Sequence, residues 1–114
     1  MKLNNPFTEK VRSLYLGHWV CFLCGANGWN RGGLEIHHIL GRISDSAFNS
    51  SCLCGACHKH MGHSREEHQK IFYQTIQFLK KQEFKPEEED YLFLRENYTE
   101  LVCEKTEKWI KYSV

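Results

Sequence analysis

Apolar positions recur at helical spacing in two long stretches and one short one. After Ser64 they fall at Phe72, Ile76 and Leu79, with Ile71 and Thr75 beside them, one face of a helix. Ser64-Arg-Glu-Glu67 has the form of a capping box, so that helix is predicted from residue 64 to about 82. The stretch 83–86 breaks it. Pro86 suits the first turn of a next helix, and the acidic run behind it suits the positive end of the helix dipole. The second long stripe, Tyr91, Leu94, Tyr98, Leu101 and Val102, continued by Trp109, predicts one helix over about 87–112. Two such helices with a short link form an antiparallel hairpin. The short stretch is 8–16, where Thr8 is a cap, Val11, Leu14 and Tyr15 make the buried side, and Gly17 ends the helix.

Between these segments the pattern changes. Residues 34–40 read as a strand with Leu34 and Ile36 on one face, and Gly41 breaks it. Residues 42–51 lack a period and read as a loop with Asn49 near its end, and 52–53 read as a short return strand. A helix is predicted from Gly55, carrying Cys57, His58 and Met61, and Gly62 interrupts it. The predicted class is a small α+β protein, with a core over 1–63 and a helical hairpin over 64–114. The hairpin either packs on that core or mediates association with a second copy or another protein.

A core this small often needs reinforcement, and the cysteines supply a candidate. Cys21 and Cys24 form one Cys-x-x-Cys pair, Cys54 and Cys57 another, and 29 residues lie between the pairs. Such repeats are metal spacing rather than disulfide spacing. Four thiolates satisfy tetrahedral zinc, and a structural zinc contributes on the order of 10 kcal/mol to folding. Two disulfides or a redox pair are the competing reading. Cys52 and Cys103 are left over and read as small buried hydrophobes.

Net charge is +1, but it is unevenly spread. Residues 1–82 hold ten Lys and Arg against five Asp and Glu, whereas 83–114 hold five against nine. The cysteine-rich part is therefore basic and suits a phosphate-bearing partner. The first twenty residues lack the apolar run of a secretion signal, and no segment has the length and apolarity of a membrane span. The expectation is a protein of a reducing cytoplasm, away from membranes, with free thiolates.

Four thiolates leave His37, His38, Asn49 and His58 unexplained. Adjacent histidines on a strand point to opposite faces, so they serve one site only where the pleat is lost. The order Cys-x-x-Cys, Leu-Glu-Ile-His-His-Ile, Asn49, Cys-x-x-Cys-His resembles the HNH endonuclease family over about residues 21–60. That resemblance implies a ββα-metal (His-Me finger) core in a bacterial or phage setting. It implies a catalytic divalent metal, Mg²⁺ or Mn²⁺ with other ions admissible, on His37 and His58, with His63 as an additional ligand and His60 as an alternative. It makes His38 the general base and Asn49 the residue that holds the loop and orients it. DNA is the implied substrate, with Arg31, Arg42 and Lys59 as candidate contacts. The chain departs from common family patterns at Gly41, where a proline is frequent, and at Ser50, where leucine is common. The competing functions are a zinc-stabilised nucleic-acid-binding or regulatory module without catalysis and a protein-interaction adaptor working through the helical tail.

Overall fold

The computed structural model describes residues 7–16, 20–25, 34–41, 43–55, 57 and 64–113, with the backbone alone at 34, 35 and 109–113. Helix α1 spans Glu9–Leu14. Strand β1, Leu34–His38, runs antiparallel to β2, Ser50–Cys54, and a 3-10 turn over Ala47–Asn49 leads into β2. Helix α2 spans Arg65–Lys81, α3 Glu88–Glu96, α4 Tyr98–Leu101 and α5 Glu104–Ser113. The class is α+β, with one two-stranded ribbon and helices around it. The chain is helical again at Gly55 and Cys57; the continuation expected through His58 and Met61 lies outside the described residues.

The register pairs Leu34 with Cys54 and His38 with Ser50. The second cysteine pair thus sits at one end of the ribbon and the two histidines at the other. At about 3.4 Å per residue the ends are roughly 10–13 Å apart. All five residues of β2 are buried, so the ribbon is covered on both faces. Thr75 of α2 donates from Oγ1 to the Ser50 carbonyl at 2.8 Å, which ties the helix to the histidine end of β2.

Helix α2 starts as its sequence predicts. Ser64 Oγ accepts from the Glu67 N–H at 3.1 Å. Ile71, Phe72, Thr75, Ile76 and Leu79 are buried, and so are His68 and Phe78, which the stripe omitted. Burying side chains of this size is worth about 1.5–3 kcal/mol each. The helix ends in a Schellman turn. Phe84 N–H donates to the Leu79 carbonyl and Glu83 N–H to the Lys80 carbonyl, and Glu83 takes φ +57° to allow it.

The predicted helix over 87–112 is three helices. Asn97 ends α3, donating from Nδ2 to the Phe93 carbonyl, and Val102 is extended after α4. The simple hairpin is corrected accordingly: α4 and α5 return against α2, while α3 packs on the 3-10 turn. Tyr98, placed on the buried stripe by its spacing, is exposed. Pro86 precedes the N-cap rather than occupying the first turn, since Glu87 is the cap residue. Asp90 is no solvent-facing dipole partner. It is buried, accepts from the Glu87 N–H at 2.8 Å, and accepts from Ser46 Oγ at 2.5 Å.

One apolar cluster joins these parts. Phe48 of the 3-10 turn meets Phe72, Phe84 and Tyr91 edge-on, with ring centroids 6.0–6.4 Å apart. Tyr15 stacks on Phe78 at 4.4 Å, and Phe22 closes that group. The loop between the strands is therefore held from the helical part, and the first cysteine turn is seated on α2.

Candidate metal centre and histidine site

The first cysteine turn is built by its backbone. Gly25 N–H donates to the Cys21 carbonyl at 3.0 Å and Gly25 takes φ +79°, a conformation that glycine adopts without strain. Phe22 N–H donates to the Cys52 carbonyl at 2.8 Å and lays the turn against β2. Cys54 ends β2, and Cys57 lies three residues on in helical backbone, its N–H donating to the Cys54 sulfur at 3.5 Å.

The four sulfurs of Cys21, Cys24, Cys54 and Cys57 all lie within 4.8 Å of one another, with Cys24 and Cys54 at 3.8 Å. A tetrahedron of thiolates about 2.3 Å from a zinc ion has edges of about 3.8 Å. The four cysteines are thus positioned to bind a metal ion, and donor type and spacing fit zinc. Cys21, Cys54 and Cys57 are buried and Cys24 is exposed. Burial alone would raise the Cys21 thiol, but hydrogen bonds from the backbone of Cys24, Cys54 and Leu23 outweigh it and bring it down to about 7. Cys57 moves the other way: burial, then the neighbouring sulfurs, keep its proton on. A cation among the sulfurs removes that conflict, because it compensates every thiolate together. Cys52 is not part of the cluster. Burial and the charges of Cys21 and Cys54 push its thiol up to about 12. Cys103, expected to be buried, is half-exposed, with its sulfur 3.3 Å from Thr106 Oγ1.

At the other end of the ribbon, β1 keeps its regular pairing through His38. The two histidines therefore leave the strand on opposite faces: His37 lies opposite Ser51, and His38 opposite Ser50. β1 has no bulge at this pair, and His38 is its last residue, so a site common to both lies off the end of the strand. His37 Nε2 is closed off from solvent, and the His37 carbonyl accepts from Ser51 Oγ at 2.9 Å.

His38 stacks on Phe7, with ring centroids 4.1 Å apart and an interplanar angle of 22°. Its Nε2 lies 3.1 Å from Asp45 Oδ1, and its side chain is 6% exposed. A carboxylate only accepts, so Nε2 carries the hydrogen and Nδ1 is left as the basic atom of the ring.

Asn49 explains how Asp45 comes to be there. It is fully buried. Its Oδ1 accepts from the Leu40 N–H at 3.0 Å, and its Nδ2 donates to the carbonyls of Gly41 and Ser44 at 3.0 and 2.9 Å. Its own carbonyl accepts from Ile39 N–H at 2.8 Å. One side chain thus fastens both ends of the 40–44 stretch, and Asp45 follows directly. Gly41 sits in the left-handed region at φ +82°, closed to a proline, whose ring fixes φ near −65°. Ser50 is equally specific. Its hydroxyl donates to the Ala47 carbonyl at 2.7 Å, which leaves its oxygen to accept from the Tyr15 hydroxyl at 2.7 Å. Both departures from the common family pattern are thus used by this fold.

His38, Asn49 and Asp45 form one connected unit, and His37 stands on the opposite face of the ribbon. His58, His60, His63, Arg31, Arg42 and Lys59 lie outside the described residues. Among the described residues, the four cysteines are the one group of three or more His, Cys, Asp or Glu side chains placed to hold a metal. Asp45 and Phe7 were not signalled by sequence: Asp45 is a lone acid in an aperiodic loop, and Phe7 stands just outside a predicted helix. No described helix is long and apolar enough to cross a membrane. No family model matches the chain, and neither a curated protein nor a solved structure matches it.

Proposed function

We propose that the chain is a metal-dependent DNA endonuclease of the HNH type. Its ββα-metal core is held by zinc on Cys21, Cys24, Cys54 and Cys57. The observation that carries this reading is the triple anchorage of Asn49, which fixes the 40–44 backbone beside the Asp45–His38 pair.

In this scheme His37 and His58, with His63 as a further ligand, would hold a divalent cation, which would supply charge compensation at the scissile phosphate and at the departing oxygen. Because His37 and His38 leave β1 on opposite faces and His38 is its last residue, the phosphate would lie off the end of the strand, within reach of both sides. Imidazole ligands admit Mn²⁺ and softer ions as well as Mg²⁺. His38 is the general base. Its Nδ1 takes a proton from water as the water oxygen bonds to phosphorus, while the bond from phosphorus to the 3′ oxygen breaks. Asp45 holds Nε2–H and so keeps Nδ1 available, and Asn49 keeps Asp45 in place. The products carry 5′-phosphate and 3′-hydroxyl ends.

A second reading is favoured by a specific observation. His38 is nearly enclosed beneath Phe7, and a zinc-stabilised DNA-binding or regulatory module without catalysis would tolerate that. Incubating supercoiled plasmid with the zinc-loaded protein separates the two. The nuclease reading expects nicked or linear product with Mg²⁺ or Mn²⁺, none with chelator, and 5′-phosphate ends. Folded, DNA-binding protein that cuts with neither ion supports the second reading instead.

A further inference from the structure

We propose that the groove between the first cysteine turn and α2 is an anchor for the phosphate backbone of DNA, distinct from the histidine site. Its identity as a DNA site deepens the nuclease reading and rests on it for the choice of ligand.

The groove encloses about 920 Å³ and is open to solvent. Its floor is firm: Phe22 and Phe78 pack with ring centroids 5.7 Å apart and join the two walls. One wall is a ridge of α2. Lys70, Gln74, Gln77 and Lys81 follow one another at steps of four, three and four residues, so they line one helix face, and Lys80 stands beside them. From Lys70 to Lys81 the ridge runs about 16 Å along the helix axis. Measured along the duplex axis, that length corresponds to about five phosphates of one strand, at about 3.4 Å of axis each. The other wall carries Leu16 and Val20, which are 81% and 46% exposed.

Charge decides what fits. The chain holds 14 Asp and Glu, yet no carboxylate lines the groove among the described residues. Its lining anions are the thiolates of Cys21 and Cys24, and three lysines outweigh the formal double negative charge of a zinc held by four thiolates. The segment 17–33, which contains the first cysteine turn, also has no Asp or Glu in its sequence. Lysine ammonium groups compensate backbone phosphates, glutamine amides donate to phosphate oxygens, and exposed aliphatic groups meet sugar faces. Contacts to phosphate and sugar carry no sequence information, so in this role the groove anchors without sequence preference.

The test is fluorescence anisotropy of a labelled 20-bp duplex between 50 and 200 mM salt, without added Mg²⁺ or Mn²⁺. It compares wild type, Lys70→Ala/Lys81→Ala, and Lys85→Ala/Lys108→Ala, which removes the same charge elsewhere. Zinc content and circular dichroism establish that all three are folded. Each lost phosphate contact lowers the slope of log affinity against log salt by about 0.9. The groove variant is expected to lose about two units of slope, so raising the salt weakens wild type about 12-fold more than the variant. The control keeps the wild-type slope. An unchanged slope in the groove variant, an equal drop in the control, or no binding by wild type at 50 mM salt overturns the proposal. A groove variant that changes oligomeric state but not DNA affinity also overturns it, and assigns the groove to an acidic segment of a second copy. Salt-dependent binding lost in the groove variant, from a wild type that cuts nothing, keeps the anchor and removes the nuclease. Cutting with unchanged affinity does the reverse.

Discussion

Replacing Asn49 by alanine isolates the residue on which the histidine end depends. The side chain is fully buried and makes three hydrogen bonds to backbone groups of Leu40, Gly41 and Ser44, all between 2.9 and 3.0 Å. Each such bond contributes about 1 kcal/mol net, and more where the abandoned group stays out of water. The small void left by the amide adds to that, so the expected loss is about 3–4 kcal/mol. For a chain of this size, about 4 °C per kcal/mol gives a fall in Tm of roughly 12–16 °C. Asn49→Asp keeps the acceptor for Leu40 but sets a carboxylate against two carbonyl oxygens, and is expected to lose at least as much. The assay is thermal and urea unfolding followed by circular dichroism at fixed free zinc, since bound metal shifts apparent stability. The thiolates lie at the far end of the ribbon, so zinc content stays at one per chain. A loss below about 1 kcal/mol, with an unchanged denaturant slope, would refute the assignment of Asn49 as the fastener of this loop.

Two further outcomes follow from the same structure. Cys54→Ser or Cys57→Ser removes one of four donors from a cluster spanning 4.8 Å. Because structural zinc contributes on the order of 10 kcal/mol and whole domains hold about 5–15, either variant is expected to be unfolded at 25 °C. A variant that is helical by circular dichroism and still releases one zinc to a chromogenic chelator contradicts the shared site. Glu83→Gly relieves a side chain held at φ +57° in the Schellman turn. It is expected to raise stability by about 0.5–1 kcal/mol in urea unfolding, and a loss of stability would show that the turn is not formed as described.

How much of this was legible depended on whether a signal was local. Helix α2 was legible because its cap and its stripe are both short-range: Ser64 reaches only to Glu67, and the apolar repeat is uninterrupted. The cysteine cluster was legible because each Cys-x-x-Cys turn brings two sulfurs together by itself. The three-part C-terminal helix was hidden because Tyr98, Leu101 and Val102 continue the stripe of α3 across the break at Asn97. The apolar period survives where the hydrogen-bond ladder does not. Asp90 looked like one more acid in a run of four, and only the fold shows that Ser46 waits for it. Asp45 depends on a loop conformation set by Asn49 from nine residues beyond Leu40, a long-range relation that no periodicity encodes. Gly41 and Ser50 were read as departures from a family pattern. The structure gives each a physical role, one in backbone conformation and one in a buried hydroxyl pair.

The central claim is that a thiolate-held scaffold presents the His38 imidazole as a base for hydrolysing DNA. The most direct measurement is the rate of plasmid nicking with Mn²⁺ by wild type and by His38→Ala, both shown to be folded and to hold one zinc. A positioned general base contributes roughly 10²–10⁴-fold, so nicking by the variant is expected to be at least 100-fold slower. Equal rates from the two proteins would contradict the account.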